Sequence, residues 1–126
     1  MTRGLLAPTA ATPMIHVPDV AATAAWYRSI GFDVVETYGD GAGGLCFAIL
    51  SAGTTRVMFN QGGRTSGERR REVDLYVEVA QVDQLFGSIK DRVNVLEEPH
   101  DTHYGMRELI IRDLNGFWIT FAQVRA

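Results

Sequence analysis

Residues 104–123 read YGMRELIIRDLNGFWITFAQ, and this stretch decides the fold. The apolar run at 109–111 predicts one strand, and apolar residues alternate from 117 to 121 in a second strand. The Asn-Gly pair at 115–116 tolerates the positive φ angles of a tight turn, so the two strands are predicted to form a hairpin. One face of the second strand is apolar. The other face carries Trp118, Thr120 and Ala122, and we expect function on that face.

The composition limits what kind of protein the chain can be. With 126 residues, 46% of them hydrophobic, the chain is expected to form a single domain over residues 1–126 with its own core. Its net charge of −3 argues against nucleic acid as a partner. The one cysteine, Cys46, is expected to be a buried, unreactive thiol, and it predicts a reducing compartment. No apolar run is long enough for a signal peptide or a membrane span, so a cytoplasmic protein is expected.

The first half of the chain has the pattern of one helix among four strands. Strands are predicted over 13–17, 32–38, 45–50 and 55–60. Asp19 is a good N-cap for a helix over 20–30, and Gly31 is the expected stop. Trp26 and Tyr27 are expected in the core rather than in a binding site.

The second half repeats this pattern after a polar linker. Residues 61–71 read QGGRTSGERRR, which lacks apolar anchors and predicts a solvated connection. A strand over 73–79, a helix over 82–89 and a strand over 93–96 are predicted to follow. A loop containing Pro99, His100 and His103 is expected to lead into the closing hairpin.

An internal repeat relates the two halves. When the chain is shifted by 62 residues, Ile15 falls on Val77 and Phe59 falls on Phe121. Each half therefore has the order strand–helix–strand–strand–strand. The repeat predicts two βαβββ modules, at residues 12–60 and 72–123, joined by the linker at 61–71.

The register of the repeat sorts the strand residues into two faces. The face expected to pack on the helices carries Ile15, Val17, Val57, Phe59, Leu75, Val77, Ile119 and Phe121. The opposite face carries Thr12, Met14, His16, Arg56, Met58, Asn60, Asp74, Tyr76, Glu78, Trp118 and Thr120. Aromatic and thioether groups among isolated polar groups predict a concave surface that holds a partly apolar molecule. A subunit interface would have a similar composition and is the alternative.

Two motifs resemble those of the vicinal oxygen chelate superfamily, which includes glyoxalase I, extradiol dioxygenases, and fosfomycin and bleomycin resistance proteins. The first is VPDV at 17–20, leading to WY at 26–27 and GF at 31–32. The second is YGMREL at 104–109, leading to RDLNG at 112–116. The resemblance covers nearly the whole chain. It implies an α+β fold in which two βαβββ modules form a curved, mixed eight-stranded sheet around a cavity.

The resemblance also implies where a metal would lie in the family's enzymes. One ligand, normally His or Glu, stands on the first and last strands of each module. Those positions are Thr12, Met58, Asp74 and Thr120 in this chain. Only Asp74 is a good ligand for a divalent cation, so no metal and no cofactor are predicted. A rebuilt site containing Asp74 and His103 is an alternative, whereas His16 lies roughly 13 Å from Thr12 and cannot replace it.

The predicted function is therefore ligand binding rather than chemistry. Tyr104 stands where bleomycin resistance proteins have a tryptophan in the aromatic wall of the drug groove, so the resemblance points to the metal-free branch. The residues expected to bind the ligand are His16, Met58, Asp74, Tyr76, Tyr104, Trp118 and Thr120, and no catalytic residue is assigned. His16 either hydrogen-bonds the ligand or is a satisfied, buried imidazole. Drug sequestration would involve no reaction.

Two other functions stay open. The first is a divergent lyase, isomerase or dioxygenase with a relocated metal, or with His16 or Glu78 as an acid–base catalyst. The second is a partner-binding or dimer module without a small ligand. Because the family usually dimerises, the resemblance also implies a homodimer. The expected partners are thus a small molecule and a second copy of the chain, with no nucleic acid and no membrane.

Overall fold

The computed structural model describes residues 10–63 and 73–125. The first module contains β1 (Met14–Val17), α1 (Val20–Ser29), β2 (Asp33–Gly39), β3 (Leu45–Ala52) and β4 (Thr55–Gln61). The second contains β5 (Asp74–Glu78), α2 (Val82–Ile89), β6 (Asn94–Asp101), β7 (Met106–Arg112) and β8 (Trp118–Val124). The predicted α+β fold with two βαβββ modules is confirmed. Within the described ranges, no helix is long and apolar enough to cross a membrane.

The eight strands divide into two mixed four-stranded sheets. Their strand orders are β1-β4-β3-β2 and β5-β8-β7-β6, and the first strand of each module runs parallel to the last. In the first sheet Met14 lies beside Met58, and in the second Tyr76 lies beside Thr120. Each member of the second pair is 62 positions beyond its counterpart. The repeat in the sequence is therefore a repeat of strand register.

Helix α1 begins and ends where the sequence predicts. The backbone of Asp19 is extended, and its carboxylate accepts a hydrogen bond of 2.9 Å from the backbone N–H of Ala22. The helix stops at Ile30. Gly31 then takes a φ of 115°, a conformation that is strained for residues with a Cβ. The chain turns back there into β2, which leaves α1 packed across its own sheet.

The core lies between each sheet and its helix. Among the residues predicted to face the helices, those that are buried are Ile15, Val17, Val57, Phe59, Ile119 and Phe121. Tyr27 is fully buried and its ring centroid is 4.9 Å from that of Phe59, whereas Trp26 is half-buried. Leu75 and Val77 are also only half-buried, because they line an open cleft of about 910 Å³ between the modules. The predicted packing face is thus correct except along β5.

The turn between β7 and β8 differs from the predicted Asn-Gly turn. The backbone N–H of Asp113 donates to the carbonyl of Phe117 at 2.8 Å, so the turn is wider than two residues. Gly116 has the predicted positive φ, at 88°. Asn115 does not, and no other non-glycine residue in the described ranges has one. The Asp113 side chain orders the turn instead. Its Oδ1 accepts the backbone N–H groups of Asn115 and Phe117, both at 2.8 Å.

Two buried hydrogen bonds join this turn to α1 of the other module. The hydroxyl of Tyr27 donates to Asp113 Oδ2 at 2.6 Å, and the side-chain amide of Asn115 donates to Thr23 Oγ1 at 2.9 Å. Burial, followed by the charge of Asp113, raises the pKa of Tyr27 well above its ordinary value. Tyr27 is therefore a neutral donor at physiological pH, and it holds the turn against the helix.

Strand β6 is longer than predicted. It runs to Asp101 and includes Pro99 and His100, so the prediction that these two residues lie in a loop is wrong. The physical reason is that β6 is the edge of its sheet, where a residue without an N–H is tolerated. The register also shifts between Glu97 and His100. His103 does lie in the connecting turn.

Two predictions concern the end of the first module. Cys46 is half-buried rather than buried, and its Sγ lies 3.6 Å and 3.4 Å from the carbonyl oxygens of Tyr38 and Gly39. The predicted linker starts at Gln61, which is the last residue of β4. Residues 64–71 of that linker lie outside the described residues.

Replacing Tyr27 by Phe is expected to lower the free energy of unfolding by about 2 kcal/mol, because a buried oxygen of Asp113 loses its phenol donor. Urea unfolding with an unchanged m value measures this loss. Tyr38→Phe is the matched control, since Tyr38 is exposed and donates to the exposed Glu36 at 2.8 Å. That variant should change stability by less than about 0.5 kcal/mol. Equal losses in the two variants would contradict the special role of Tyr27.

Candidate functional site

Each sheet has one face directed away from its helix, which we call its open face. The open face of the first sheet carries Met14, His16, Tyr38, Phe47, Ile49, Met58 and Asn60. The open face of the second sheet carries Asp74, Tyr76, Glu78, Glu108, Ile110, Arg112, Trp118, Thr120 and Ala122. The residues that alternate with these are mostly apolar and buried or half-buried, as expected for strands with one covered face.

The predicted binding residues are divided between the two open faces. His16 and Met58 lie on the first. Those on the second are Asp74, Tyr76, Trp118 and Thr120, with Asp74 beside Trp118 and Tyr76 beside Thr120. Tyr104 is in the turn before β7 and reaches the second open face through its hydroxyl. The second sheet therefore holds most of the predicted site.

The first open face is apolar at its centre and polar at its edge. Met58 and its neighbour Ile49 are half-buried. His16 lies beside Asn60 on β1 and is exposed. The alternative prediction of a buried, satisfied imidazole is wrong, because β1 has a neighbouring strand on one side only.

A buried carboxylate organises the second open face. Glu108 on β7 is 4% exposed, and its Oε2 accepts hydrogen bonds from the hydroxyls of Tyr76 at 2.6 Å and Tyr104 at 2.8 Å. The two tyrosines remain 54% and 56% exposed, so each is fixed at its hydroxyl while its ring faces solvent. Hydrogen bonds to an ionised acceptor are among the stronger ones. The face thus presents two aromatic surfaces that are held in place without a ligand.

The same carboxylate changes the acidity of both phenols. The hydrogen bond to Glu108, with desolvation and the nearby charge, raises the pKa of Tyr76 to about 12. The hydrogen bond to Glu108 also raises the pKa of Tyr104. Both phenols therefore stay protonated at neutral pH and act as donors, which makes them unsuited to serve as general bases.

Sequence reasoning missed Glu108 as a site residue. Its alternation with Leu109 assigns it to the open face, and that signal was present in the motif at 104–109. Its burial could not be seen, because part of its cover comes from Tyr76, 32 positions away. From sequence alone, a charged residue on the open face of a sheet is expected to be exposed to solvent.

A cation with an unsatisfied donor lies at the other end of β7. Arg112 is beside Trp118 on β8 and beside Asn94 on β6. Its Nε is buried and has no hydrogen-bond partner among the described residues. At the rise of a strand, Arg112 is roughly 13 Å from Glu108. The second open face therefore carries Glu108 and Glu78 towards one end, and Arg112 together with Asp74 towards the other.

The residues present do not fit the metal site that the resemblance implies. Asp74 is the only one of the four positions with a carboxylate, since the others are Thr12, Met58 and Thr120. Across residues 10–63 and 73–125, no three His, Cys, Asp or Glu side chains are grouped so that they could hold a metal ion. No reaction step through a metal can be derived from these positions.

The alternative site built from Asp74 and His103 is wrong. Asp74 begins β5 and lies beside Trp118, the first residue of β8. His103 lies in the turn before Met106, which pairs with Val124 at the other end of β8. The length of β8 separates the two side chains by roughly 20 Å.

A tyrosine titration is expected to report the Glu108 cluster. The pKa values of all four tyrosines are raised above 10.0, so little tyrosinate should form in the folded protein near that pH. Glu108→Gln should bring two of them, Tyr76 and Tyr104, back towards their ordinary value in a spectrophotometric titration. Because the pKa values of these tyrosines are raised in the folded state, their hydrogen bonds stabilise the fold fully below the pKa of an unfolded tyrosine. That stabilisation is lost as the pH rises through the folded-state pKa values.

Glu36→Gln is the matched control for this titration. The carboxylate of Glu36 raises the pKa of Tyr38 through a hydrogen bond, so its loss should lower the pKa of that one tyrosine. Superimposable titration curves for the wild type and Glu108→Gln would show that Glu108 does not hold the two phenols.

Comparison with known proteins gives a family and a fold. The chain matches the family model described as Glyoxalase/Bleomycin resistance protein/Dioxygenase superfamily over residues 9–121. No protein of curated function matches it. Among solved structures, TioX from Micromonospora sp. ML1 is 23% identical, with a TM-score of 0.72, and the match covers 90% of this chain and 96% of that chain.

Two bleomycin-related structures are similar as well. The bleomycin resistance determinant encoded on the transposon Tn5 is 17% identical, with a TM-score of 0.72 and coverage of 94% of this chain and 100% of that chain. A bleomycin-binding protein complexed with bleomycin is 18% identical, with a TM-score of 0.70 and coverage of 92% and 98%. At these identities the structures establish a shared fold. The family match extends across both modules, and the chain therefore belongs to the glyoxalase/bleomycin resistance protein/dioxygenase superfamily.

Proposed function

We propose that this protein binds a small, partly aromatic molecule on the open faces of its sheets, without a metal, and acts by stoichiometric sequestration. The observation that carries the proposal is the pair of exposed tyrosines anchored to the buried Glu108. A sheet face that only meets water is usually polar. Aromatic rings that are exposed and yet fixed are suited to stacking on a flat ligand.

The rest of the second open face supports the same class of ligand. Trp118 and Ile110 are half-buried and extend the apolar surface beyond Tyr76. Thr120 and Asp74 supply polar groups beside them. One protein of similar fold binds bleomycin, which makes bleomycin a reasonable first ligand to test here.

The proposal assigns no metal and no catalytic residue. A single carboxylate among the four chelating positions would leave a cation largely hydrated and weakly held. A divergent lyase, isomerase or dioxygenase with a relocated metal would need donors from outside the described ranges, since no three are grouped within them. About one equivalent of metal per chain, in protein purified without chelators, would favour that enzyme.

Thermal-shift screening with flat aromatic molecules, bleomycin among them, is expected to find a saturable ligand. At a hundredfold its Kd, such a ligand adds about 2.7 kcal/mol to the free energy of unfolding. Trp118→Ala should weaken binding about tenfold, because it removes an aromatic contact. A chelator should leave the affinity unchanged. Isothermal titration measures the affinity and the number of sites per chain.

Leu114→Ala is the control for Trp118→Ala. Leu114 is 38% exposed in the β7–β8 turn and lies on neither open face, so its truncation should leave the affinity unchanged. The proposal fails if no aromatic molecule binds saturably, or if both variants lose affinity equally. Loss of affinity on chelation would favour the enzyme.

We further propose that a second copy of the chain completes the site. Met14 and Tyr38 are 49% and 53% exposed on the first open face, and they adjoin the half-buried Phe47 and Met58. A contiguous apolar patch on a soluble protein commonly marks an interface or a ligand surface. Dimerisation over this patch would enclose the ligand between two chains.

Sedimentation velocity at micromolar concentration is expected to show a dimer. Met14→Glu should shift it towards monomer, because a charge would be buried without a partner. Val124→Glu is the control, since Val124 is 66% exposed at the end of β8 and outside the first open face. A monomeric wild type, or dissociation of both variants, would contradict the proposed interface.

A further inference from the structure

We propose that the ligand is a cation whose protonated amine donates to Glu108 Oε1 and lies against the rings of Tyr76 and Tyr104. This inference rests on the proposed function and narrows its ligand class. Three properties of Glu108 carry it: no counter-ion and a carboxylate oxygen with no hydrogen bond, both among the described residues, and two aromatic neighbours.

The Glu108 carboxylate forms no ion pair with any residue that the structure describes. Its partners are two neutral phenols. Arg107 precedes it in the chain but lies on the opposite face, where it binds Asp83 at 2.7 Å and Asp101 at 2.9 Å. A buried anion without a counter-charge is destabilising. A ligand cation would offset that cost.

The neighbouring strands do not supply the missing charge. His100 lies beside Glu108 on β6, but its Nδ1 donates to the carbonyl of Glu98 at 2.8 Å. Its Nε2 is 3.9 Å from the carboxylate of Glu97. On the other side lies Ala122, followed by the exposed Glu78 on β5. The surroundings of Glu108 therefore favour a cation from solution over an anion.

One oxygen of Glu108 is available to a ligand. Both phenols donate to Oε2, and Oε1 accepts no hydrogen bond within the described part of the chain. Oε1 is also not among the fully buried polar atoms that lack a partner, so it keeps contact with solvent. A carboxylate oxygen can only accept, and a charged N–H gives it a stronger bond than a neutral donor does.

The two tyrosines add to the preference for a cationic ligand. Aromatic faces attract ammonium groups, and both side chains are more than half exposed. Their hydroxyls donate to an anion, which increases the electron density of the rings. Arg112 stands roughly 13 Å along β7, where it and Asp74 lie on either side of Trp118. The available Oε1 and the two anchored rings place the amine at the Glu108 end, with the aromatic part of the ligand directed towards Trp118.

Three probes of similar shape and different charge test the inference. They are 1-naphthylmethylamine, which is protonated near neutral pH, 1-naphthylmethanol, which is neutral, and 1-naphthoate, which is an anion. Isothermal titration should show the amine binding about tenfold more tightly than the alcohol, as expected when a charged donor replaces a neutral one. The naphthoate should bind most weakly. In Glu108→Gln the amine should bind no more tightly than the alcohol.

Asp91→Asn is the charge-matched control. Asp91 is exposed in the turn after α2, so its loss changes the net charge equally without touching the second open face. The preference for the amine should persist in this variant. If circular dichroism shows that Glu108→Gln does not fold, Glu108→Asp replaces it. That variant keeps the charge but withdraws the oxygens by one methylene, and the preference should fall several-fold.

The outcomes separate this inference from the proposed function. Equal binding of amine and alcohol by the wild type overturns the inference and leaves an aromatic binding site in place. A preference that persists undiminished in the Glu108 variant also overturns it. If none of the three probes binds and the aromatic screen fails as well, the proposed function falls together with the inference.

Discussion

A buried hydrogen bond between Tyr27 and Asp113 joins the two modules of the fold. It joins residues 86 positions apart, one in a helix of the first module and the other in a turn of the second. Asp113 uses its other oxygen to order the turn itself. One carboxylate thus fixes both the shape of the turn and its place against the helix. Strand β8 starts just after this turn, with Phe117 buried and Trp118 on the open face.

Local pattern was sufficient to predict the modules and the faces of their strands. The repeat of 62 residues corresponds to equivalent pairs in the two sheets, Met14 beside Met58 and Tyr76 beside Thr120. A strand has only two faces, so recognising the apolar one assigns every other residue to the opposite one. For that reason Tyr76 and Trp118 could be placed on a common surface from the sequence.

Polar contacts between distant residues could not be predicted in the same way. The hydrogen bonds from Tyr27 to Asp113 and from Tyr76 to Glu108 produce no periodic pattern in the sequence, because they depend on the completed fold. Pro99 illustrates the opposite error. From the local sequence alone, a proline favours a loop, yet a strand at the edge of a sheet tolerates one. Whether a strand lies at the edge depends on the whole sheet, so the segment itself does not reveal it.

In the proposed function, Glu108 is the residue by which an open face with no grouped metal ligands among its described residues selects among molecules. Fixing Tyr76 and Tyr104 in advance reduces the ordering cost of binding, which is about 0.5–1.5 kcal/mol for each side chain that a ligand must immobilise. The group that fixes them forms no ion pair with a residue in the ranges 10–63 and 73–125, so rigidity and the proposed charge selectivity would have one source. At the other end of the surface, Arg112 and Asp74 lie on either side of Trp118. The proposed ligand, basic at one end and flat beyond it, would meet the carboxylate of Glu108 at one end and the ring of Trp118 at the other. In the proposed complex, Glu108 would thus define an orientation of the ligand as well as a preference for its charge.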